Sequence, residues 1–330
     1  MEACNPELTR ALDVITSGYQ HSQILFAAVR GGVFALLVPS ATAESVAAAL
    51  RWDPRGTRML LDGLVALGLL EKQGDLYANT ETASLCLIPG APLDQTHIIT
   101  HKAGGWDAWA HLGKAVASGT SPLGPRPDHS PEELRAFILG MDDIGRSSAQ
   151  SILEHYDMSS HTSMLDVGGG PGSYSLAFAQ ANPKLRATVF DLPQVLEITR
   201  EQIAKTDLAD RVGTCPGDMT ADPLPGGHDF VLLSNIIHSF APEANRAIIR
   251  KCFEALLPGG TLMVKDFLVA DDRTGPPFGL VFALHMLVHT GEGDCYTTAE
   301  VAEWTSGAGF NEGRLIDITP QSRLWVVTRP

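Results

Sequence analysis

Apolar residues recur at three- and four-residue spacing through HSQILFAAVRGGVFALL, ATAESVAAAL and RGTRMLLDGLVALGLL. That period predicts a series of short helices from Pro6 to about Ser84. Directly behind them, LLEKQGDLYANT sets a Gly-Asp turn between two β-prone runs, which predicts a hairpin; small helices followed by a hairpin give a winged-helix outline. WDAWAHLGKAVASG follows, and then the Pro- and Gly-rich SPLGPRPDHSP, which cannot continue a helix and reads as a connector. A further helix, PEELRAFILGMDDIGRSSAQSILEHYD, leads to a change of texture at Ser163. From there β-prone runs alternate with helical ones: SMLDV, ATVF, VGTC, DFVLLS and GTLMVKD, with RLIDIT and RLWVVT close together at the end. The alternation predicts a doubly wound α/β sheet, mostly parallel, that finishes in an antiparallel hairpin. The expected division is residues 1–100 as a winged-helix-like domain, 101–160 as connecting helices and 161–330 as the α/β domain.

Composition narrows the partners. With 330 residues and 44% hydrophobic content the chain can bury two cores. Its 24 Lys+Arg against 38 Asp+Glu leave a formal charge of -14, which repels nucleic acid and anionic membrane and points to a small-molecule partner. The winged-helix outline admits a DNA-binding regulator, yet residues 1–100 hold six Lys/Arg against ten Asp/Glu, a poor match to phosphates, so packing or dimerisation is the favoured role. The five cysteines (Cys4, Cys86, Cys215, Cys252, Cys295) have no C-x-x-C spacing and read as reduced thiols. MEACNPELTR lacks the pattern of an export signal and no stretch is apolar for the length of a bilayer, so a cytoplasmic protein is expected.

Candidate chemistry concentrates in the second half. Asp166-Val167-Gly168-Gly169-Gly170-Pro171-Gly172 follows SMLDV and opens the helical run SYSLAFAQA. Glycines let a ligand approach the backbone there, and the helix start offers free N–H groups. Asp191, at the end of the next strand, stands where a carboxylate accepts from ribose hydroxyls, and Gly217-Asp218-Met219 after the third strand can bracket an adenine. An NAD(P) oxidoreductase uses the same logic, but the run departs from G-x-G-x-x-G at Ser173, and Asp166 beside the turn repels pyrophosphate while suiting an ammonium. His238 lies just after DFVLLS, at the carboxyl edge of the sheet, where a neutral imidazole can take a proton near pH 7. His285 and His289 share one helical face, as do His97 and His101; without an evident third ligand they read as pocket lining or packing, with no metal site expected. Trp106 and Trp109 read as core packing.

The motifs LDVGGGPG, VFDLP, PGDM, LLSNIIHSF, ALLPGGTLMV and GAGF together cover most of residues 137–310, and in that combination the chain resembles the plant-type O-methyltransferase family that includes caffeic acid and hydroxyindole O-methyltransferases. The resemblance implies a Rossmann-like class I methyltransferase domain that binds S-adenosylmethionine, preceded by a helical domain that forms a homodimer. It places Asp166, Gly168, Gly170, Asp191, Leu192, Asp218, Met219 and Ser234 at the cofactor, with Phe240, in the place of a family Trp, flanking the adenine. It makes His238 the catalytic base and puts Asp266 where the family often has a Glu that orients that base. It assigns Phe137, Met141 and Asp142 to the pocket of the methyl acceptor and has that pocket begin near Trp109, while His285 and His289 are read as lining it from their spacing alone. Two departures stand out: Ser234-Asn235 replaces a Lys-Trp pair of the plant members, and a second family carboxylate falls at Cys295, next to Asp294. The expected reaction is in-line methyl transfer to a hydroxyl; S-methylation of a thioether or C-methylation, as of a tetrapyrrole, stays open.

Overall fold

In the computed structural model, which describes residues 6–123 and 130–330, helix α1 (Pro6–Arg30) takes up the first apolar block and stops at Gly31-Gly32. Gly32 adopts a φ of 68°, a left-handed turn that costs glycine least, so VFALL becomes a separate 3₁₀ turn (Val33–Leu37) rather than the continuation of a helix. The chain then forms β1 (Ala41–Thr42), α2 (Ala43–Leu50), α3 (Pro54–Ala66), β2 (Leu70–Gln73), β3 (Leu76–Asn79), α4 (Glu81–Cys86) and α5 (Thr96–Gly104). Thr42 caps α2 through the Ser45 N–H and Asp53 caps α3 through the Gly56 N–H, with Pro54 at the first turn, which fixes where each helix begins. β2 and β3 form the hairpin expected at Gly74-Asp75, and β1 joins it in the order β1-β3-β2. Phe34, Leu37, Val46, Leu61, Leu64 and Tyr77 make the core of this unit, which ends at Gly104. Burial of each such large side chain stabilises it by roughly 1.5–3 kcal/mol.

The second unit begins at Gly105. It opens with α6 (Trp106–Ala110), α7 (Leu112–Ser118) and α8 (Pro131–His155), whose start carries a full capping box between Ser130 and Glu133. Most of the connector SPLGPRPDHSP lies outside the described residues. Then follow β4 (Ser163–Val167), α9 (Ser173–Ala181), β5 (Arg186–Asp191), α10 (Pro193–Ile203), β6 (Val212–Pro216), β7 (His228–Ser234), α11 (Pro242–Ala255), β8 (Leu256–Asp266), α12 (Pro277–His289), α13 (Thr298–Ala308), β9 (Arg314–Asp317) and β10 (Arg323–Thr328).

The strands order as β6-β5-β4-β7-β8-β10-β9, with the first five parallel and β10 antiparallel to both β8 and β9. Side chains alternate between faces. Met164, Phe230, Leu232 and Met263 pack with Ile152, Phe178 and Leu196 on one face; Leu165, Val231, Leu262 and Val264 pack with Ile249, Val301 and Trp304 on the other. The sequence order reverses direction between β4 and β7, and at such a point the C-terminal strand ends leave a crevice for a ligand. At the opposite end of the same strands, Asp229 accepts from Thr162 N–H and Oγ1 and from Ser163 N–H, with His161 at 3.6 Å. There Tyr156 hydrogen-bonds His161 Nε2 at 3.0 Å, and Ser163 hydrogen-bonds His228 Nδ1 at 3.0 Å.

Candidate active site

The glycine turn after β4 wraps over the carboxylate that ends that strand's inward-facing row. Asp166 is buried; Ser175 Oγ donates to its Oδ2 at 2.8 Å, and among the described residues its Oδ1 has no partner. Burial, aided by the negative charge of Asp191 and opposed by the Ser175 hydrogen bonds, pushes its pKa up to about 7. Gly168 is held at a φ of 67°, and a Cβ there would lie 2.5 Å from Ile236 Cδ1 and 2.6 Å from Met219 Cε. Only a residue without a side chain fits between these two. Where a Cβ of Gly170 would stand there is open space, while its N–H donates to Asp191 Oδ2 at 2.8 Å.

Asp191, at the tip of β5, therefore has one oxygen on Gly170 and the other on the Leu192 N–H at 2.7 Å, each with acceptor capacity to spare. Burial raises its pKa, and those two N–H groups counteract the rise. Leu192 is exposed beside it. Asp218, beyond β6, accepts from Thr220 N–H at 2.8 Å and Thr220 Oγ1 at 2.7 Å, which holds its carboxyl below the usual range. Met219 is fixed by Lys251, which donates to its carbonyl at 2.9 Å, and its side chain reaches the glycine turn. Ser234 ends β7 with its buried Oγ unpartnered among the described residues. Open space over Gly170, two orphaned buried oxygens and free carboxylate lone pairs are what a nucleoside with a charged amino-acid tail requires.

His238 sits in a 3₁₀ turn (Ile237–Ser239) behind β7 and Asp266 at the end of neighbouring β8, so the parallel pairing of the strands brings them together. His238 Nδ1 lies 2.8 Å from Asp266 Oδ1, and both side chains are buried. Burial works to raise the Asp266 carboxyl, but the charge and hydrogen bond of His238, with the Phe267 N–H, hold it below the usual carboxylate range. Asn245 fastens the turn through the carbonyls of Ile237 and Phe240, and Tyr296 also donates to the Phe240 carbonyl. The position of the missing second carboxylate is also close: the Asp294 N–H donates to the His238 carbonyl at 3.0 Å. The Asp294 carboxylate itself turns to the Cys295 N–H and Arg273. Burial, with the negative charges of Asp266 and Asp294, pushes the Cys295 thiol up, so a neutral group stands there.

Aromatic rings continue from the imidazole. Phe267 lies parallel to it at 5.8 Å and Phe282 edge-on at 5.1 Å; His285 stacks on Phe282 at 5.1 Å. Trp109 Nε1 donates to His285 Nδ1 at 3.2 Å, and the His289 ring is 4.0 Å from that of His285. The structure thus joins Trp109, His285 and His289 to His238 in one row. It does not do so for the α8 residues: Phe137 packs with Val195 and Ile198 of α10, Asp142 accepts from Ser173 Oγ at 2.6 Å, and Met141 is half-buried. Among the described residues no three His, Cys, Asp or Glu side chains are arranged to hold a metal ion. Sequence reasoning missed Phe267, Phe282 and Lys265, which is 1% exposed and hydrogen-bonded to Asn235. A lysine inside the apolar run TLMV-K was the available signal.

Comparison with known proteins agrees with this geometry. The model of the O-methyltransferase domain matches residues 112–311, and that of the O-methyltransferase dimerisation domain matches residues 14–89. The 3-hydroxy-5-methyl-1-naphthoate 3-O-methyltransferase of Streptomyces sahachiroi is 35% identical, over 92% of this chain and 89% of its own. The tetracenomycin polyketide synthesis 8-O-methyltransferase of Streptomyces glaucescens is 32% identical, over 96% of this chain and 95% of its own. Human N-acetylserotonin methyltransferase, solved in complex with S-adenosylmethionine, superposes with a TM-score of 0.90 at 27% identity, covering 100% of this chain and 99% of that one. The chain belongs to the O-methyltransferase family, with that family's dimerisation domain ahead of its Rossmann-like O-methyltransferase domain.

Proposed function

We propose that this enzyme transfers the methyl group of S-adenosylmethionine to a hydroxyl oxygen of a small fused aromatic acceptor, with His238 as general base and Asp266 as the carboxylate that orients it. The observation that carries the reading is the buried 2.8 Å pair of His238 and Asp266 at the sheet's C-terminal edge. S-adenosylmethionine, when bound, supplies a sulfonium methyl that is already electrophilic. The protein's task is to hold the acceptor oxygen in line and remove its proton, and positioning alone supplies roughly 7–11 kcal/mol. In the tautomer that donates Nδ1–H to Asp266, His238 Nε2 keeps the lone pair a base needs. Asp266 then stabilises the imidazolium that forms.

For the cofactor, Asp166 serves the ammonium of the amino-acid tail, the backbone of Gly168 and Gly170 the tail itself, and Asp191 the ribose hydroxyls. Leu192, Met219 and Phe240 flank the adenine, Asp218 binds its edge, and Ser234 offers its unpartnered hydroxyl. Trp109, Phe137, Met141 and Asp142 contribute to the acceptor pocket together with His285 and His289, the three α8 residues standing outside the aromatic row that leads from His238. The relatives named for a hydroxynaphthoate, a polyketide and acetylserotonin support a hydroxylated aromatic acceptor. Methylation of a thioether sulfur or of carbon is not favoured, since these relatives are O-methyltransferases.

The homodimer forms through the first unit, where α1 exposes Leu12, Val14, Ile15 and Tyr19; light scattering is expected to give twice the chain mass. Reduced free thiols at Cys86, Cys215, Cys252 and Cys295 fit a cytoplasmic setting, and no helix among the described residues is long and apolar enough to cross a membrane. The test is His238→Ala, assayed with a panel of hydroxynaphthoates: kcat is expected to fall about 10²- to 10⁴-fold, with S-adenosylhomocysteine binding by calorimetry retained. Turnover within a few-fold of the parent rejects the base.

A further inference from the structure

We infer that Lys265 is a positioning residue for methyl transfer, its buried ammonium clasping the loop that carries His238 and setting a positive charge behind the His238–Asp266 pair. The inference rests on reading that pair as base and orienting carboxylate. A lysine at 1% exposure, on a strand between a parallel and an antiparallel neighbour, is costly to bury. Lys265 Nζ donates to Asn235 Oδ1 at 3.0 Å, and the Asn235 N–H donates back to the Lys265 carbonyl at 2.8 Å. Asn235 holds a φ of 55°, a left-handed conformation that asparagine tolerates better than most side chains. This two-way clasp lies where the chain leaves β7, one residue before Ile236 meets the glycine turn and three before His238.

The ammonium also lies 5.4 Å from the centre of the Phe267 ring, the ring that stands parallel to the imidazole. Its hydrogen-bond acceptor is a neutral amide, so its charge is felt through space, by Asp266, the next residue on the strand. Among the described residues the other titratable groups about the pair include the neutral Cys295 thiol, Asp294, which is turned to Arg273, and, across Phe282, His285. Lys265 is thus a cation that offsets the Asp266 carboxylate beside the base.

The experiment compares Lys265→Met with Asn235→Gly, a change that permits the same φ but removes the side-chain acceptor. Lys265→Met is expected to lower kcat about tenfold, leave the KM for S-adenosylmethionine within twofold, and move the acid limb of the kcat profile up by about half a pH unit. Asn235→Gly is expected to lower kcat several-fold with the limb unmoved, and Lys265→Arg to restore the limb. A folded Lys265→Met with the parent's kcat and limb overturns the inference. Should that variant not fold, an Asn235→Gly enzyme with the parent's kcat overturns it. His238→Ala tells the two readings apart: if it retains turnover the base assignment falls, whereas if it is inactive while Lys265→Met is unaltered only the lysine's role falls.

Discussion

The two ends of the large sheet use the same residue types to opposite effect. Each buries a histidine against an aspartate, His161 with Asp229 at 3.6 Å on the N-terminal side and His238 with Asp266 at 2.8 Å on the C-terminal side. On the N-terminal side the groups are spent: Asp229 accepts from Thr162 and Ser163, and His161 hydrogen-bonds Tyr156. On the C-terminal side Asp166 Oδ1 and Ser234 Oγ stay unpartnered among the described residues, and Gly168 leaves no room for a side chain. Satisfied polar groups hold a fold, whereas a buried oxygen without a partner beside an open crevice is available to a ligand. Composition alone does not tell the ends apart; the hydrogen-bond accounting does.

Matched substitutions break that comparison most directly. Asp266→Asn is expected to lower kcat by about a hundredfold or more, since a neutral amide neither fixes the tautomer nor stabilises the imidazolium. Asp229→Asn is expected to keep kcat and lower the melting temperature by several degrees, for a loss of roughly 1–3 kcal/mol. Equal kcat losses in the two variants would erase the distinction. Gly168→Val comes next: it forces a side chain into the contact with Ile236 and Met219 at a left-handed φ. Calorimetry is expected to show S-adenosylhomocysteine binding weakened by about tenfold or more.

The third effect is one of pH. Asp166 has a folded pKa of about 7 against an ordinary 3.8, so the fold holds its proton more tightly than the open chain does. Its contribution to stability is full below about pH 4 and is lost as pH rises towards 7. An ammonium ligand favours the ionised form, so between pH 6 and 8 affinity for S-adenosylhomocysteine is expected to rise by about tenfold and then level off. Asp166→Asn should flatten that rise, and a rise that survives in the variant would place the titrating group elsewhere.

The smallest effect belongs to the other end. Burial holds His161 and His228 below the ordinary histidine value of 6.5, so their stabilising contribution is present above pH 6.5 and is lost as pH falls. His161→Phe is expected to soften the fall in melting temperature between pH 6.5 and 5 by a few degrees at most, with kcat unchanged. The two ends of one sheet thus titrate in opposite senses.

Much of this was legible in the sequence where local chemistry decides. The seven strands of the sheet could be placed because each is a short apolar run between turns, and the bend at Gly168 to Gly172 because its glycines are dictated by backbone geometry. The break at Gly31-Gly32, where α1 gives way to a 3₁₀ turn, is not located by periodicity, because the apolar spacing runs on through it. The order in which β10 slots between β8 and β9 depends on contacts distant in sequence, and periodicity is silent about those. The same limit hid the aromatic row, since Phe267 and Phe282 become neighbours of His238 only after β7, β8 and α12 are assembled. Lys265 stood in plain view, but its partner Asn235 lies on another strand's exit and no local pattern links them.

The place of β10 also sets the timing of assembly on the ribosome. Arg323 and Leu324 pair with Asp266 and Lys265, so the strand bearing the dyad's carboxylate keeps a bare edge until residues 323–328 have been synthesised. Synthesis of residues 323–328 must precede the first competent turnover, and until then that edge is open to pairing with another chain.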